Sequence, residues 1–182
     1  MMDIVEARAF AKERCEKDTT YRHLVSVEGV MRGLARRFGD DEELWGLTGL
    51  FHDLDQDVTG DDRGRHAKLA AGWLREAGVD ERVVNGVLAH NFEENRTDLM
   101  SKAIVHADAV AGLLVAAALV RPERSAGMKV SSVKKKLKER AFAPGVNRDE
   151  VTSVEASIGV TVDELIGSGI EGLQGVAAEI GL

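Results

Sequence analysis

Hydrophobic positions recur at three- and four-residue spacing along most of the chain. That period marks helices with one buried face. Over residues 20–38 the apolar positions are Leu24, Val27, Met31, Leu34 and Phe38, and Gly39 ends the pattern. Asp40 and Asp41 offer N-caps to the next helix. Glu42 and Glu43 fall in its first turn, where the helix dipole favours acids. This helix carries Leu44, Leu47, Leu50 and Phe51 towards a core and ends near Leu54–Asp57.

Residues 58–64 read as a loop. Helices follow over 65–77 and 80–90, divided at Gly78, with a polar break at 91–95. A long helix runs from Thr97 to Val120, ahead of Pro122. Residues 123–130 read as a linker, Ser132–Arg140 as a short basic helix, and 148–158 and 162–180 as two more helices. No long stretch alternates apolar and polar residues, so little strand is expected. The expectation is an all-α fold of eight or nine helices.

At 182 residues the chain has the length of one domain. Hydrophobic residues make up 44% and charged residues 30%, enough to bury a core. Cys15 is the single cysteine, which rules out an internal disulfide framework and a thiolate zinc finger. The first residues carry early acids and no apolar signal core. The longest apolar run, Ala109–Val120, is shorter than the ~20 residues of a membrane span. No membrane partner is expected, and the expected location is the cytoplasm.

The formal net charge of −7 argues against long nucleic acid as a ligand. The charge is uneven. Residues 40–62 hold nine acids and no lysine or arginine, whereas residues 121–140 hold eight lysines and arginines against two glutamates.

The candidate chemistry lies in five histidines and two acids. His52 and Asp53 are adjacent after an apolar approach that would bury them. A buried carboxylate is costly unless something positive compensates it, and a cation does so directly. Imidazole with carboxylate suits Fe, Mn, Zn or Co better than Ca. Asp108 sits in an otherwise apolar helix, and His106 at i−2 faces away from it. Asp108 therefore needs a partner from elsewhere in the fold. His23 lies on the inward side of the second helix. His23, His52, Asp53 and Asp108 together supply what one divalent site requires.

The order His23, His52-Asp53, Asp108 resembles the H…HD…D signature of the HD-domain metal-dependent phosphohydrolase superfamily. The segment Arg65–Leu74 resembles the third-histidine helix of its dinuclear members, and Leu88-Ala89-His90-Asn91 their fourth-histidine position. The set would then be His23, His52/Asp53, His66, His90 and Asp108, at separations of 29, 14, 24 and 18 residues. Most of residues 20–180 is similar to a bacterial and archaeal group of predicted HD superfamily hydrolases.

The resemblance implies an HD helical bundle over residues 1–122, including an N-terminal helix. Residues 123–182 would be a helical extension packed on the same domain. It implies one or two divalent ions (Fe, Mn, Zn, Co or Mg), with Asp53 as bridging ligand and catalytic residue. A metal-activated water would then hydrolyse a small phosphorylated metabolite or nucleotide. Arg63, Arg65 and Lys68 flank His66 and are candidates for phosphate contact, with Lys135 of the basic segment as a further one. Asp55, Asp57, Asp61 and Asp62 could support the site or act as a base. His106, Trp45 and Trp73 read as structural.

Two departures stand out. Gln56 occupies a position where many members carry lysine. Asn91 follows His90 and no GYP motif is present, which weakens a cyclic-dinucleotide reading. Two alternatives remain: a mixed-valent di-iron oxygenase on the same fold, and a non-catalytic nucleotide-sensing module. The sequence leaves the oligomeric state open.

Overall fold

A computed structural model describes residues 2–182. Helices account for nearly all of its regular structure, and no strand occurs among the described residues. Eight helices have nine residues or more: α1 (Ile4–Arg14), α2 (Asp18–Phe38), α3 (Glu42–Phe51), α5 (Lys68–Glu76), α6 (Glu81–Asn91), α7 (Leu99–Leu119), α8 (Val130–Lys138) and α11 (Val162–Ile180). Shorter ones are α4 (Gln56–Thr59), α9 (Arg148–Thr152) and α10 (Val154–Ile158).

The helix ends follow local chemistry. Asp3, Asp98 and Thr161 each form a reciprocal capping box, with Glu6, Ser101 and Glu164 respectively. Asp41 caps α3 as its position suggests. Gly39 closes α2 in the left-handed conformation, at φ 68°. Several boundaries differ from the sequence reading: α3 ends at Phe51 rather than near Leu54–Asp57, α4 enters the stretch read as a loop, and α8 runs over Val130–Lys138 rather than Ser132–Arg140. Residues 62–67 form turns, so α5 starts at Lys68 rather than near residue 65. The stretch 148–158 breaks at Ser153 into α9 and α10.

One apolar cluster runs through the molecule, from Ala7 and Ala11 on α1 to Leu173 and Ile180 on α11. α2 lies at its centre. α11 approaches it so closely that a Cβ on Gly172 would stand 1.9 Å from the Gly29 carbonyl oxygen. On another face of α2, a Cβ on Gly49 of α3 would stand 2.7 Å from the Val27 carbonyl oxygen. Only glycine permits backbones to meet at these points. The second contact matters for chemistry, because it sets the end of α3 beside the start of α2.

α7 is long and apolar enough, by length and composition, to cross a membrane, but 67% of the relevant window is buried inside this fold. It is a core helix here. Asp108 is its one acid.

Candidate metal centre

Five elements deliver six side chains to one place. His23 comes from α2, His52 from the residue that ends α3, and Asp53 from the turn beyond it. His66 precedes α5, His90 is in the last turn of α6, and Asp108 lies midway along α7.

The Asp53 carboxylate divides between two imidazole pairs. Its Oδ2 lies 3.6 Å from His52 Nε2 and 3.9 Å from His23 Nε2. Its Oδ1 lies 3.1 Å from His66 Nε2 and 3.3 Å from His90 Nδ1. Asp108 also spans the centre, with Oδ1 3.1 Å from His23 Nε2 and Oδ2 3.3 Å from His90 Nε2. His23 Nε2 and His52 Nε2 are 3.2 Å apart. Two overlapping sets have ligand atoms close enough to share an ion: His23, His52 and Asp108, and His52, Asp53 and His90.

Hydrogen bonds on the far sides of the rings fix which nitrogens face inward. His52 Nδ1 lies 2.7 Å from the Gly49 carbonyl oxygen, so it carries the proton and donates. Its Nε2 then presents a lone pair to the centre. His66 bridges two carboxylates, with Nδ1 2.9 Å from Asp55 Oδ1 and Nε2 3.1 Å from Asp53 Oδ1. Asp53 Oδ1 and Asp55 Oδ1 are both buried, and neither has an aligned hydrogen-bond donor among the described residues. Ring nitrogens converging on buried carboxylate oxygens need a cation between them, either protons or metal.

The electrostatics agree with that demand. Burial favours the neutral forms of Asp53 and Asp108, yet the surrounding imidazoles outweigh it and hold both carboxyls below the usual range. Burial pushes the His52 imidazole down to about 4, so it is a neutral ligand at neutral pH. Burial also opposes charge on His66, but Asp53 and Asp55 prevail and raise it to about 9. His23 is raised in the same way by Asp108. The donor set is imidazole nitrogen and carboxylate oxygen, which fits Fe, Mn, Zn or Co and leaves Mg open through the carboxylates.

Asp55 is the acid that the structure ties to the centre. It is fully buried, accepts the Ala70 N–H at 2.9 Å, and lies 2.9 Å from His66 Nδ1. It therefore caps the start of α5 and orients a ligand with the same carboxylate. Ala67 stands in the left-handed region, φ 65°, a conformation that directs the chain from His66 into α5. Asp57 lies elsewhere, accepting from the Glu16 and Lys17 N–H groups and the Thr20 hydroxyl. Asp62 caps its own turn at Gly64 N–H, and Asp61 lines the cleft over the centre.

That cleft has a volume of about 440 Å³. Asp53, His66, His90 and Asp108 form its floor, and Arg63, Asn91, Arg96 and Asn147 are among its walls. Arg63 thus opens onto the centre. Arg65, Lys68 and Lys135 are exposed and do not line the cleft, and Lys68 Nζ lies 4.6 Å from the Phe92 ring centre. Part of the basic α8 charge is met locally, by Lys134 with Asp163 and Lys136 with Glu139. Arg96 was not among the residues singled out from sequence, because a lone arginine in a polar break carries no periodic or motif signal. His106 is buried, with Nδ1 2.6 Å from the Glu150 carbonyl oxygen, and so ties α7 to α9. Trp45 is buried and Trp73 packs against the core. Burial pushes the Cys15 thiol up to about 11, away from reactivity.

A family model described as HD domain matches residues 20–120. Among curated proteins, the chain is similar to Ribonuclease Y 2 of Levilactobacillus brevis, 27% identical over 90 residues, or 50% of this chain and 17% of that one. It is similar to Ribonuclease Y of Sulfurovum sp., 31% identical over 86 residues, 47% of this chain and 17% of that one. It is also similar to Ribonuclease Y of Geobacter sulfurreducens, 27% identical over 92 residues, 50% of this chain and 18% of that one. The chain thus spans less than a fifth of the length of these relatives. No solved structure matches it.

Proposed function

The chain belongs to the HD-domain family, whose members are generally metal-dependent hydrolases, and we propose that it is a phosphohydrolase acting on a small phosphorylated metabolite or nucleotide. The observation that carries this reading is the Asp53 carboxylate, split between the His23/His52 pair and the His66/His90 pair with one oxygen left without a donor.

Asp53, His23, His52, His66, His90 and Asp108 would hold one or two divalent ions. When bound, such ions supply an acidified water and positive charge for phosphoryl oxygens. The chain's own residues supply the rest. The Gly49 carbonyl and Asp55 keep His52 and His66 turned with Nε2 inward. Asp53 and Asp108 remain ionised. Arg63, on the cleft wall, is assigned to the substrate phosphate. Arg65, Lys68 and Lys135 reach a substrate only if it extends beyond the cleft.

The names of the relatives point to RNA. Two observations favour a small substrate instead: the net charge of −7 and a cleft of about 440 Å³, which suits a ligand rather than a strand.

A screen of phosphomonoesters, cyclic nucleotides, dinucleoside polyphosphates and a short RNA, with Mn²⁺, Fe²⁺, Co²⁺ or Mg²⁺ and with and without oxygen, tests this reading. The expected result is phosphate release from a small ester without oxygen. RNA cleavage alone would replace the substrate class. Turnover that requires iron and consumes oxygen would replace the reaction. Nucleotide binding that survives Asp53→Ala, with no turnover in the parent, would replace the enzyme by a sensor.

A further inference from the structure

The cleft over the metal centre is lined by four acids, Asp53, Asp61, Asp108 and Glu150, and by two arginines, Arg63 and Arg96. Gln56, on the same lining, is neutral. Several arginines elsewhere in the chain are paired with acids: Arg8 and Arg32 with Glu28, Arg75 with Glu81, Arg82 with Asp80. Arg96 differs from these. Among the described residues no carboxylate lies within 4.0 Å of its guanidinium.

Arg96 is nevertheless held in place. Its Nε–H donates to the Ala89 carbonyl oxygen at 3.1 Å, and Ala89 directly precedes the ligand His90. Arg96 lines the cleft together with Val105, Asp108 and Ala109 of α7. The guanidinium therefore stands between the end of α6 and α7, the two helices that deliver His90 and Asp108. Its two terminal nitrogens have no hydrogen-bond partner among the described residues. A half-buried, anchored and unpaired guanidinium beside a metal centre presents the planar donor pair that phosphate oxygens accept.

We propose that Arg96 anchors the phosphate of the substrate, working beside the metal ligands in the same cleft. The proposal rests on the phosphohydrolase reading. Its Nε bond to Ala89 fixes the side chain in advance of binding, so little conformational freedom is lost when the anion arrives. Arg63, on an exposed turn, has no such anchor.

The test uses the metal-loaded full chain, with inorganic phosphate as the probe in isothermal titration, and metal content measured on every sample. Arg96→Gln is expected to weaken phosphate binding about tenfold or more, as the loss of a charged donor pair should, with metal content unchanged. Arg96→Lys is expected to recover part of the affinity, because it keeps the charge and loses the fork. Phosphate affinity equal to the parent's in Arg96→Gln overturns the proposal. So does a loss of metal in parallel with phosphate, which would make Arg96 a support for His90. A parent that hydrolyses esters yet binds phosphate no better than Arg96→Gln also overturns the anchor and leaves the phosphohydrolase reading standing. A parent that binds phosphate through Arg96 but cleaves no ester would overturn that reading and leave the anion site.

Discussion

His66 Nδ1 and Asp55 Oδ1 are 2.9 Å apart, an ion pair whose carboxylate is fully buried. One acid thereby sets the ring of a metal ligand and caps the helix that follows it. Asp55→Asn keeps the size but loses the charge that pairs with His66 while the Ala70 N–H is held. Loss of such an orienting partner costs about 10–100-fold in metal affinity. Calorimetric titration with Mn²⁺ or Fe²⁺ checks this, and an unchanged affinity would remove Asp55 from the centre.

Asp53 faces both imidazole pairs, whereas His66 faces only one. Asp53→Ala is therefore expected to weaken ion binding at both positions and abolish turnover. His66→Ala is expected to leave the ion held by His23, His52 and Asp108. Elemental analysis of protein purified without chelator distinguishes the two. Equal metal content in the two variants would argue for a single shared ion.

Protons and metal compete for the same nitrogens. His66 is raised to about 9 in the metal-free protein, and its Nε2 must lose a proton to bind an ion. Metal affinity should therefore climb as the pH rises towards about 9, with protons released on binding. The sign for folding follows from the same shift. In metal-free protein the raised His66 stabilises the fold fully below its ordinary value of 6.5, and that contribution is lost as pH rises through about 9. Thermal unfolding of metal-free and metal-loaded protein from pH 6.5 to 9.5 should show an alkaline decline only in the former.

Glu28 is fully buried on α2, accepting from Arg8 Nε and Nη2 and from Arg32 Nε, each at 3.0 Å. This pairing fastens α1 to α2. Glu28→Ala would leave two half-buried guanidinium groups without their partner, at a cost of about 3–5 kcal/mol. Urea unfolding reads the loss as a lower midpoint with an unchanged slope.

Two glycine-to-alanine changes should have opposite signs. Gly172→Ala places a methyl 1.9 Å from the Gly29 carbonyl oxygen and must drive α11 off α2. Overpacking usually costs about 1–3 kcal/mol, and here both neighbours are helix backbone, so the cost should reach or exceed the top of that range. Gly72→Ala, inside α5 with nothing within 4 Å, should stabilise by about 0.5–1 kcal/mol. Thermal unfolding of the two variants against the parent checks both.

The helical class, most element boundaries and the order of the ligands were legible in the sequence. Each rests on local physics: apolar residues at helical spacing, Asp41 and Gly39 at helix ends, an acid stranded in the apolar α7. The exceptions are instructive. The start of α5 was placed near residue 65 because nothing local announces that Ala67 adopts a left-handed backbone under a cap supplied by Asp55. Separations of 29, 14, 24 and 18 residues along the chain carry no distances. Glycine contacts between α2, α3 and α11 bring the ligand-bearing helix ends together, and packing between remote segments is not encoded at any one position. The same holds for which acid serves His66, and for Arg96 reaching the cleft while Lys68 does not. Local propensity determined the helices and supplied the ligand types. Tertiary packing decided which side chains share a buried, water-poor space, and there lone pairs and carboxylates require a cation.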